Sequence, residues 1–422
     1  MGAKGSAPEA VPRADNFCVL EPFFSKMADR LGDLRRSPAS GFGFNFTALA
    51  AVDRNPRERP DNANGRYDMR GFFKLLGGLL SVLLLLAVGL VGYLSFTEYK
   101  PEDRALAPES LDTGAPALAA GQQVALLTWN TGYAGLGADA DFFMDGGDMV
   151  RPPSQKSVEE NMADIQDRLQ QTQADVFLLQ EVDRDSARTG GVDQLAAYAQ
   201  ATGMSWAYGV NYRCNFVPYP LRPIGRVESG VATLSHVRMA ENSIRVSLPN
   251  PFFWPVRTAN LKRCLLLSRF PVEGSQRELV VVNLHLEAYD DGAGKAAQTQ
   301  ALLSVLEEEY EKGNYVIAGG DFNQTFPGGL GAYPVDKSDL WTPGTLEESA
   351  LPEGWRFAYD TALPSCRLLN QPYDPASRDT QYYVIDGFLV SPNVTVSSVE
   401  TLDLGFAHSD HNPVRLVVEL GA

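Results

Sequence analysis

The chain has 422 residues, 44% of them hydrophobic, which is enough for more than one domain and for a sizeable globular core. Its net charge of −16 excludes nucleic-acid binding by bulk charge alone, which takes a basic surface; a phosphate ester held by a divalent cation and local arginines stays open. The four cysteines, Cys18, Cys214, Cys264 and Cys366, show neither a CxxC pair nor a Cys/His zinc spacing, so no disulfide framework or zinc module is expected.

Residues 1–68 carry little periodicity. Met69 looks like a natural start, so that stretch is expected to be disordered or an extension upstream of the true N-terminus. Leu75 to Phe96 is almost wholly apolar or small, and about 22 residues at 1.5 Å each span about 33 Å, the thickness of a bilayer core. A cleaved signal peptide would have a shorter apolar run and a small-x-small site after it, so residues 69–97 are expected to be a retained transmembrane helix. Arg66, Arg70 and Lys74 precede the run, and Glu98, Glu102 and Asp103 follow it. The positive-inside rule then puts the N-terminus in the cytoplasm and the rest of the chain outside. Residues 98–121, rich in Pro, Ala and Gly, read as a linker.

From residue 122 strands and helices alternate to the end. Gln123–Thr128 predicts a strand. The Gly132–Pro153 stretch predicts a loop that shapes the substrate pocket, and residues 157–172 predict a helix capped by Ser157, with Glu160 completing a capping box. Further strands fit 175–180, 204–210, 229–235, 243–247, 263–268, 279–285, 315–319, 384–390, 394–400 and 414–420, with helices at about 192–201 and at 294–311. The strands come in consecutive runs, which favours sheet packed on sheet with outer helices over a doubly wound sheet.

Five of these strands deliver a polar or acidic residue at one end. Asn130 follows the first; Glu181 follows Val176–Leu179; His285 ends Val280–Leu284; Asp321 and Asn323 follow Tyr315–Gly320; and Asp410 with His411 precedes Val414–Leu420. Each alone is an ordinary strand-end turn. Together they are hard to explain as turns. Asp321 and Asn323, two apart in extended chain, would face one pocket, and Gly319 and Gly320 allow close backbone approach. His285 is expected to titrate near neutrality, in the range useful for acid–base work. Asp386 lies in an otherwise apolar strand and needs a buried partner, for which a histidine imidazolium would serve. A phosphodiesterase needs such a set: hard oxygen ligands for Mg²⁺ or Mn²⁺, an oriented water, and donors to the phosphate oxygens.

The segments Thr128-Trp129-Asn130, Leu179-Gln180-Glu181-Val182, Asn283-Leu284-His285-Leu286, Gly320-Asp321-Phe322-Asn323, Ile385-Asp386-Gly387-Phe388 and Ser409-Asp410-His411-Asn412-Pro413-Val414 resemble, in order, the motifs of the endonuclease/exonuclease/phosphatase superfamily. That group includes deoxyribonuclease I, the apurinic-site exonucleases, neutral sphingomyelinases and inositol-polyphosphate 5-phosphatases. The likeness covers residues 122–422, and helix plus domain looks like the membrane-anchored bacterial members. It implies a four-layer αββα sandwich, two packed mixed sheets flanked by helices, behind one transmembrane helix. It also implies Glu181 as metal ligand, assisted by Asn130 and Asp410. Asp321 would orient the attacking water, Asn323 would contact the scissile phosphate, and His411, paired with Asp386, would bond a phosphate oxygen. His285 matches the second histidine of the deoxyribonuclease and sphingomyelinase branches. Tyr212, Arg213 and Arg226 lie in an insertion that could rim the site.

The expectation is therefore a single-pass membrane protein with an extracytoplasmic, Mg²⁺-dependent phosphoester hydrolase domain and no obligate protein partner. The substrate would be a nucleic acid or a phospholipid head group, with a phosphatase on a small soluble phosphate ester as the alternative. A non-catalytic binding module that kept the fold is the rival from another class. It is disfavoured because Glu181, Asp321, Asn323, Asp410 and His411 are all present.

Overall fold

The computed structural model describes residues 69–106, 109–111, 114–119 and 121–421; the expectation for residues 1–68 lies outside them. The chain divides into two compact units, Met1–Leu90 and Val91–Ala422. What is described of the first is helix α1, Met69–Phe96, which runs on into the second unit. Its stretch Gly71–Phe96 is long and apolar enough to cross a membrane.

In the second unit the strands of the two large sheets are, in chain order, β1 (Arg104–Leu106), β2 (Glu109–Leu111), β3 (Gln123–Asn130), β4 (Val176–Asp183), β5 (Ser205–Val217), β6 (Gly225–Ser235) and β7 (Ile244–Ser247). They continue as β8 (Cys264–Pro271), β9 (Glu278–His285), β10 (Tyr315–Asp321), β11 (Arg356–Ala358), β12 (Asp386–Val390), β13 (Val394–Thr401) and β14 (Val414–Leu420). They form two seven-stranded sheets, ordered β1-β7-β8-β9-β10-β12-β11 and β13-β14-β3-β4-β6-β5-β2. Both are mixed: β9 with β10 and β3 with β4 are parallel pairs, among antiparallel neighbours. The stretch expected as a linker supplies β1 and β2, which pair with β7 and β5 and so cover one edge of each sheet.

Side-chain alternation builds the layers. Leu126, Val176 and Leu178 of one sheet meet Leu266, Val281 and Ile317 of the other in a shared core. Their neighbours Leu127, Trp129, Phe177 and Leu179 face outward, onto helices α2 (Gln155–Gln171) and α3 (Gln194–Thr202), through Val158, Ile165, Leu169, Leu195 and Tyr198. On the far side Val280, Val282, Val316 and Ala318 pack on Leu302, Val305 and Leu306 of helix α4, Ala293–Glu311. Strands buried on both faces read as unbroken apolar runs. The result is the expected four-layer sandwich.

One helix boundary differs from expectation. Ser154, not Ser157, caps α2, its hydroxyl accepting from the Ser157 N–H at 3.0 Å. Gln155 and Lys156 are good helix formers, so the helix starts earlier, and the Ser157 hydroxyl donates to Asp139. Among the described cysteines, Cys214, Cys264 and Cys366 are all free and buried.

The sheet register is least tolerant at Gly320. Gly320 pairs between Leu284 and Gly387, and a Cβ there would lie 2.0 Å from the Leu284 carbonyl oxygen. That obstacle is backbone and cannot swing away. Gly320→Ala is therefore expected to destabilise the domain by about 3 kcal/mol, read as a lowered denaturation midpoint; an unchanged midpoint would mean that β9 and β10 do not approach so closely.

Candidate active site

Strand direction gathers the polar ends. The parallel pairing of β3 with β4 ends at Asn130 and Gln180, with Glu181 directly beyond it, and the parallel pairing of β9 with β10 ends at His285 and Asp321, which are register partners. Antiparallel β12 starts where β10 stops, so Asp386 lies opposite Asp321. The loop entering β14 adds Asp410 and His411. Its Ser409 hydroxyl donates to the Asn130 carbonyl at 2.8 Å, and the Trp129 indole N–H donates to the His411 carbonyl at 2.9 Å.

Contacts within the cluster are short. The Asn130 amide donates to Asp321 Oδ2 at 3.1 Å and to Glu181 Oε1 at 3.3 Å, while its carbonyl oxygen accepts from Gly132 N–H at 3.0 Å. His285 Nε2 lies 3.4 Å from Asp321 Oδ2 and 4.0 Å from Glu181 Oε1. His411 Nδ1 is 2.8 Å from Asp386 Oδ2; its Nε2 is 3.8 Å from Asp410 Oδ2 and 3.9 Å from Asp321 Oδ2. Asn323 does not continue the strand. Its φ of 50° turns the chain, its N–H donates to Asp321 Oδ1 at 2.8 Å, and its amide donates to the Leu286 carbonyl at 2.9 Å. Asparagine tolerates this left-handed conformation. Glu181, at φ 56° beside a bulge in the β4–β6 ladder, does not adopt it readily. Strain of about 1–3 kcal/mol is held there, and the bulge re-aims the side chain, whose 24% exposure is the largest among the cluster's ion-pairing groups.

Burial sets the charges. It raises Asp410 and Glu181 above the usual carboxylate range, with His411 and Arg367 opposing it at Asp410 and Arg188 opposing it at Glu181. Asp321 is pushed up to about 7 by burial and by the Asp386 charge, against the pull of His411. At His411 burial favours the neutral ring, but the Asp386 carboxylate outweighs it and holds the pKa well above the ordinary value. His285 goes the other way. Burial, then the charges of Arg263 and His411, hold it well below the ordinary range, which corrects the expectation that it titrates near neutrality. It is a neutral imidazole whose Nδ1 is buried without a hydrogen-bond partner.

Three residues expected at the rim are engaged elsewhere. The Tyr212 hydroxyl donates to the Ala259 carbonyl, Arg213 pairs with Glu228, and Arg226 pairs with Asp185. His408 sits on α2, 3.0 Å from Asn161. Besides Arg263 and Arg367, Arg188 lies near the cluster, ion-paired to buried Asp183 at 2.9 Å with its guanidinium 3.5 Å above the Tyr133 ring. Asp183, an acid ending a buried strand, was the sequence signal for it. The Gly132–Pro153 loop also supplies Asp145, which accepts from the Tyr289 hydroxyl at 2.8 Å. Burial pushes its carboxyl up to about 7.

The donor set suits a hard divalent cation. Glu181, Asp410 and Asp321 offer oxygens, and burial raises all three carboxyls, a penalty that a bound cation would offset. The arrangement can hold such an ion beside a charged imidazole and a base near its working pH.

The sequence model of the Endonuclease/Exonuclease/phosphatase family matches residues 127–411. Among solved structures the chain is similar to the endonuclease/exonuclease/phosphatase from Beutenbergia cavernae DSM 12333, at 19% identity over 71% of this chain and 72% of that one, with a TM-score of 0.50. It is also similar to the endonuclease/exonuclease/phosphatase from Bacteroides vulgatus, at 17% identity over 71% and 99% with a TM-score of 0.45. The human Nocturnin catalytic domain with bound sulfate anion matches at 17% identity over 74% and 96%, TM-score 0.44. Likeness at these identities speaks to the fold alone. No curated protein matches the chain by sequence.

Proposed function

The chain belongs to the endonuclease/exonuclease/phosphatase family, metal-dependent hydrolases of phosphoester bonds, and we propose that it is a membrane-anchored, Mg²⁺-dependent phosphodiesterase acting on a nucleic acid or a phospholipid head group. The observation that carries this reading is the meeting of Glu181, Asp321, Asp410 and His411 at one end of two sheets, Glu181 and Asp321 delivered by strands β4 and β10 and Asp410 with His411 by the loop entering β14.

Glu181, assisted by Asn130 and Asp410, would hold Mg²⁺ or Mn²⁺. The ion would supply charge to the phosphoryl oxygens. Asp321 takes the proton of the attacking water. Its carboxylate is fixed by the Asn323 N–H and the Asn130 amide, and its raised pKa suits a base near neutral pH. His411, kept charged by Asp386, donates from Nε2 to a phosphoryl oxygen as charge builds there. Asn323 contacts the phosphate, and His285 orients Asp321 as a neutral partner. Helix α1 anchors the domain, outside the cytoplasm by the charge asymmetry of its flanks.

Chelation with EDTA is expected to abolish turnover and added Mg²⁺ to restore it. Glu181→Gln is expected to raise the Mg²⁺ needed for half-maximal rate by about 10–100-fold, measured by titration; an unchanged requirement would remove Glu181 from the ligand set. Substrate is assigned with the full chain in detergent, offered supercoiled DNA and phospholipids including sphingomyelin, with Asp321→Asn as the control for contaminating activity. Nicking or head-group release lost in the variant supports the phosphodiesterase. Silence on both, with turnover of a small phosphate monoester, would replace it by a phosphatase.

A further inference from the structure

Behind His411 lies a thiol that the hydrolysis does not use. Cys366 is 4% exposed and is the antiparallel bridge partner of His411. Its sulfur, one imidazole nitrogen of His411 and one carboxylate oxygen of Asp410 all lie within 4.8 Å of one another. The other two described cysteines differ. All three thiols meet backbone carbonyls, Cys366 that of Arg367, Cys214 that of Thr258 and Cys264 those of Gly209 and Val210, but neither Cys214 nor Cys264 falls in a group of ligating side chains among the described residues.

The chemistry of the three donors differs from that of the proposed Mg²⁺ site. Magnesium takes hard oxygen ligands and gains nothing from sulfur. Sulfur, imidazole nitrogen and carboxylate oxygen together are the donor set of zinc. His411 is also oriented as a zinc-bound histidine is: Nδ1 is committed to the Asp386 carboxylate at 2.8 Å, which leaves Nε2 for an ion. Asp410 Oδ2 stands 3.8 Å from that Nε2, so small side-chain shifts would bring the donors around one ion.

We propose that Cys366, His411 and Asp410 form an inhibitory Zn²⁺ site inside the catalytic cluster. An ion bound there withdraws Asp410 from the Mg²⁺ ligands and the His411 Nε2 from the phosphate, so the site switches hydrolysis off. No electron changes hands. The S–Zn and N–Zn bonds form as the thiol proton and the Nε2 proton pass to solvent, and water completes the coordination. The thiol, which burial pushes up to about 12, keeps its proton until the metal displaces it.

The test uses the full chain in detergent and two readouts. Co²⁺, the optical substitute for Zn²⁺, is expected to give a thiolate-to-metal charge-transfer band in wild type and none in Cys366→Ser, or in Cys366→Ala should serine disturb the packing. With Mg²⁺ saturating, wild type is expected to be half-inhibited at a free Zn²⁺ concentration about 10-fold or more below that for the Cys366 variant. No band in wild type, or a band that survives loss of Cys366, overturns the site. A band with equal Zn²⁺ inhibition of both forms overturns its inhibitory role. The inhibition arm rests on the phosphodiesterase reading and the optical arm does not, so a chain that turns over no phosphoester but shows the Cys366-dependent band refutes that reading alone.

Discussion

Asp321→Asn is expected to lower kcat by about 10²–10⁴-fold, the range for removing a positioned general base, while making the metal-free protein more stable at pH 8. Both effects have one origin. The folded protein raises the Asp321 carboxyl from its ordinary 3.8 to about 7, through burial first and the Asp386 charge second. The neutral acid is therefore the form the fold prefers. Its stabilising contribution is fully present below about pH 4 and is lost as pH rises through about 7. Asparagine is neutral throughout and similar in shape, so it escapes that loss and cannot accept the proton. Denaturation in EDTA at pH 5 and pH 8 should show the variant's advantage growing with pH. In wild type, kcat/KM should rise through an acid limb as Asp321 ionises, at a pH lowered by whatever charge the bound cation contributes. A variant that is inactive yet no more stable at pH 8 would mean that Asp321 ionises freely in the fold.

Much of this site was legible because strand chemistry is local. A run such as Val280-Val281-Val282 announces a strand buried on both faces, and the residue ending it must sit at a sheet edge. Two parallel pairs then bring four such ends together. The same logic found Asp386, an acid in an apolar strand that required a partner, and that partner is His411. What escaped depends on contacts that no period encodes. Arg188 lies above Tyr133, and Tyr289 bonds Asp145 across a sequence separation of 144. The left-handed turn at Glu181 follows from a bulge, which needs the neighbouring strand to be seen. The neutrality of His285 depends on burial and on Arg263, where sequence supplies only an ordinary imidazole. The edge strands β1 and β2 were hidden by their brevity, three residues each amid Pro and Ala.

His411→Ala is expected to cost about 10²–10³-fold in kcat, as for loss of one donor to a charged transition state, and to cost stability as well. Asp386 is fully buried, and one of its oxygens already lacks a hydrogen-bond partner. His411 supplies the charge that compensates the other, at 2.8 Å. Removing the imidazole leaves a carboxylate without its countercharge in the interior, where breaking such a pair typically costs about 3–5 kcal/mol. The two losses can be separated by a second substitution. Asp386→Asn in the His411→Ala background replaces the stranded carboxylate with a neutral amide, so the denaturation midpoint should recover much of the way while kcat stays down. Asp386→Asn alone should remove the pull that keeps His411 charged, lower its pKa, and bring the alkaline loss of activity to lower pH. Recovery of turnover in the double variant would show that His411 acts only by holding Asp386 in place. Recovery of stability without turnover assigns the imidazole to the phosphate and the carboxylate to the imidazole.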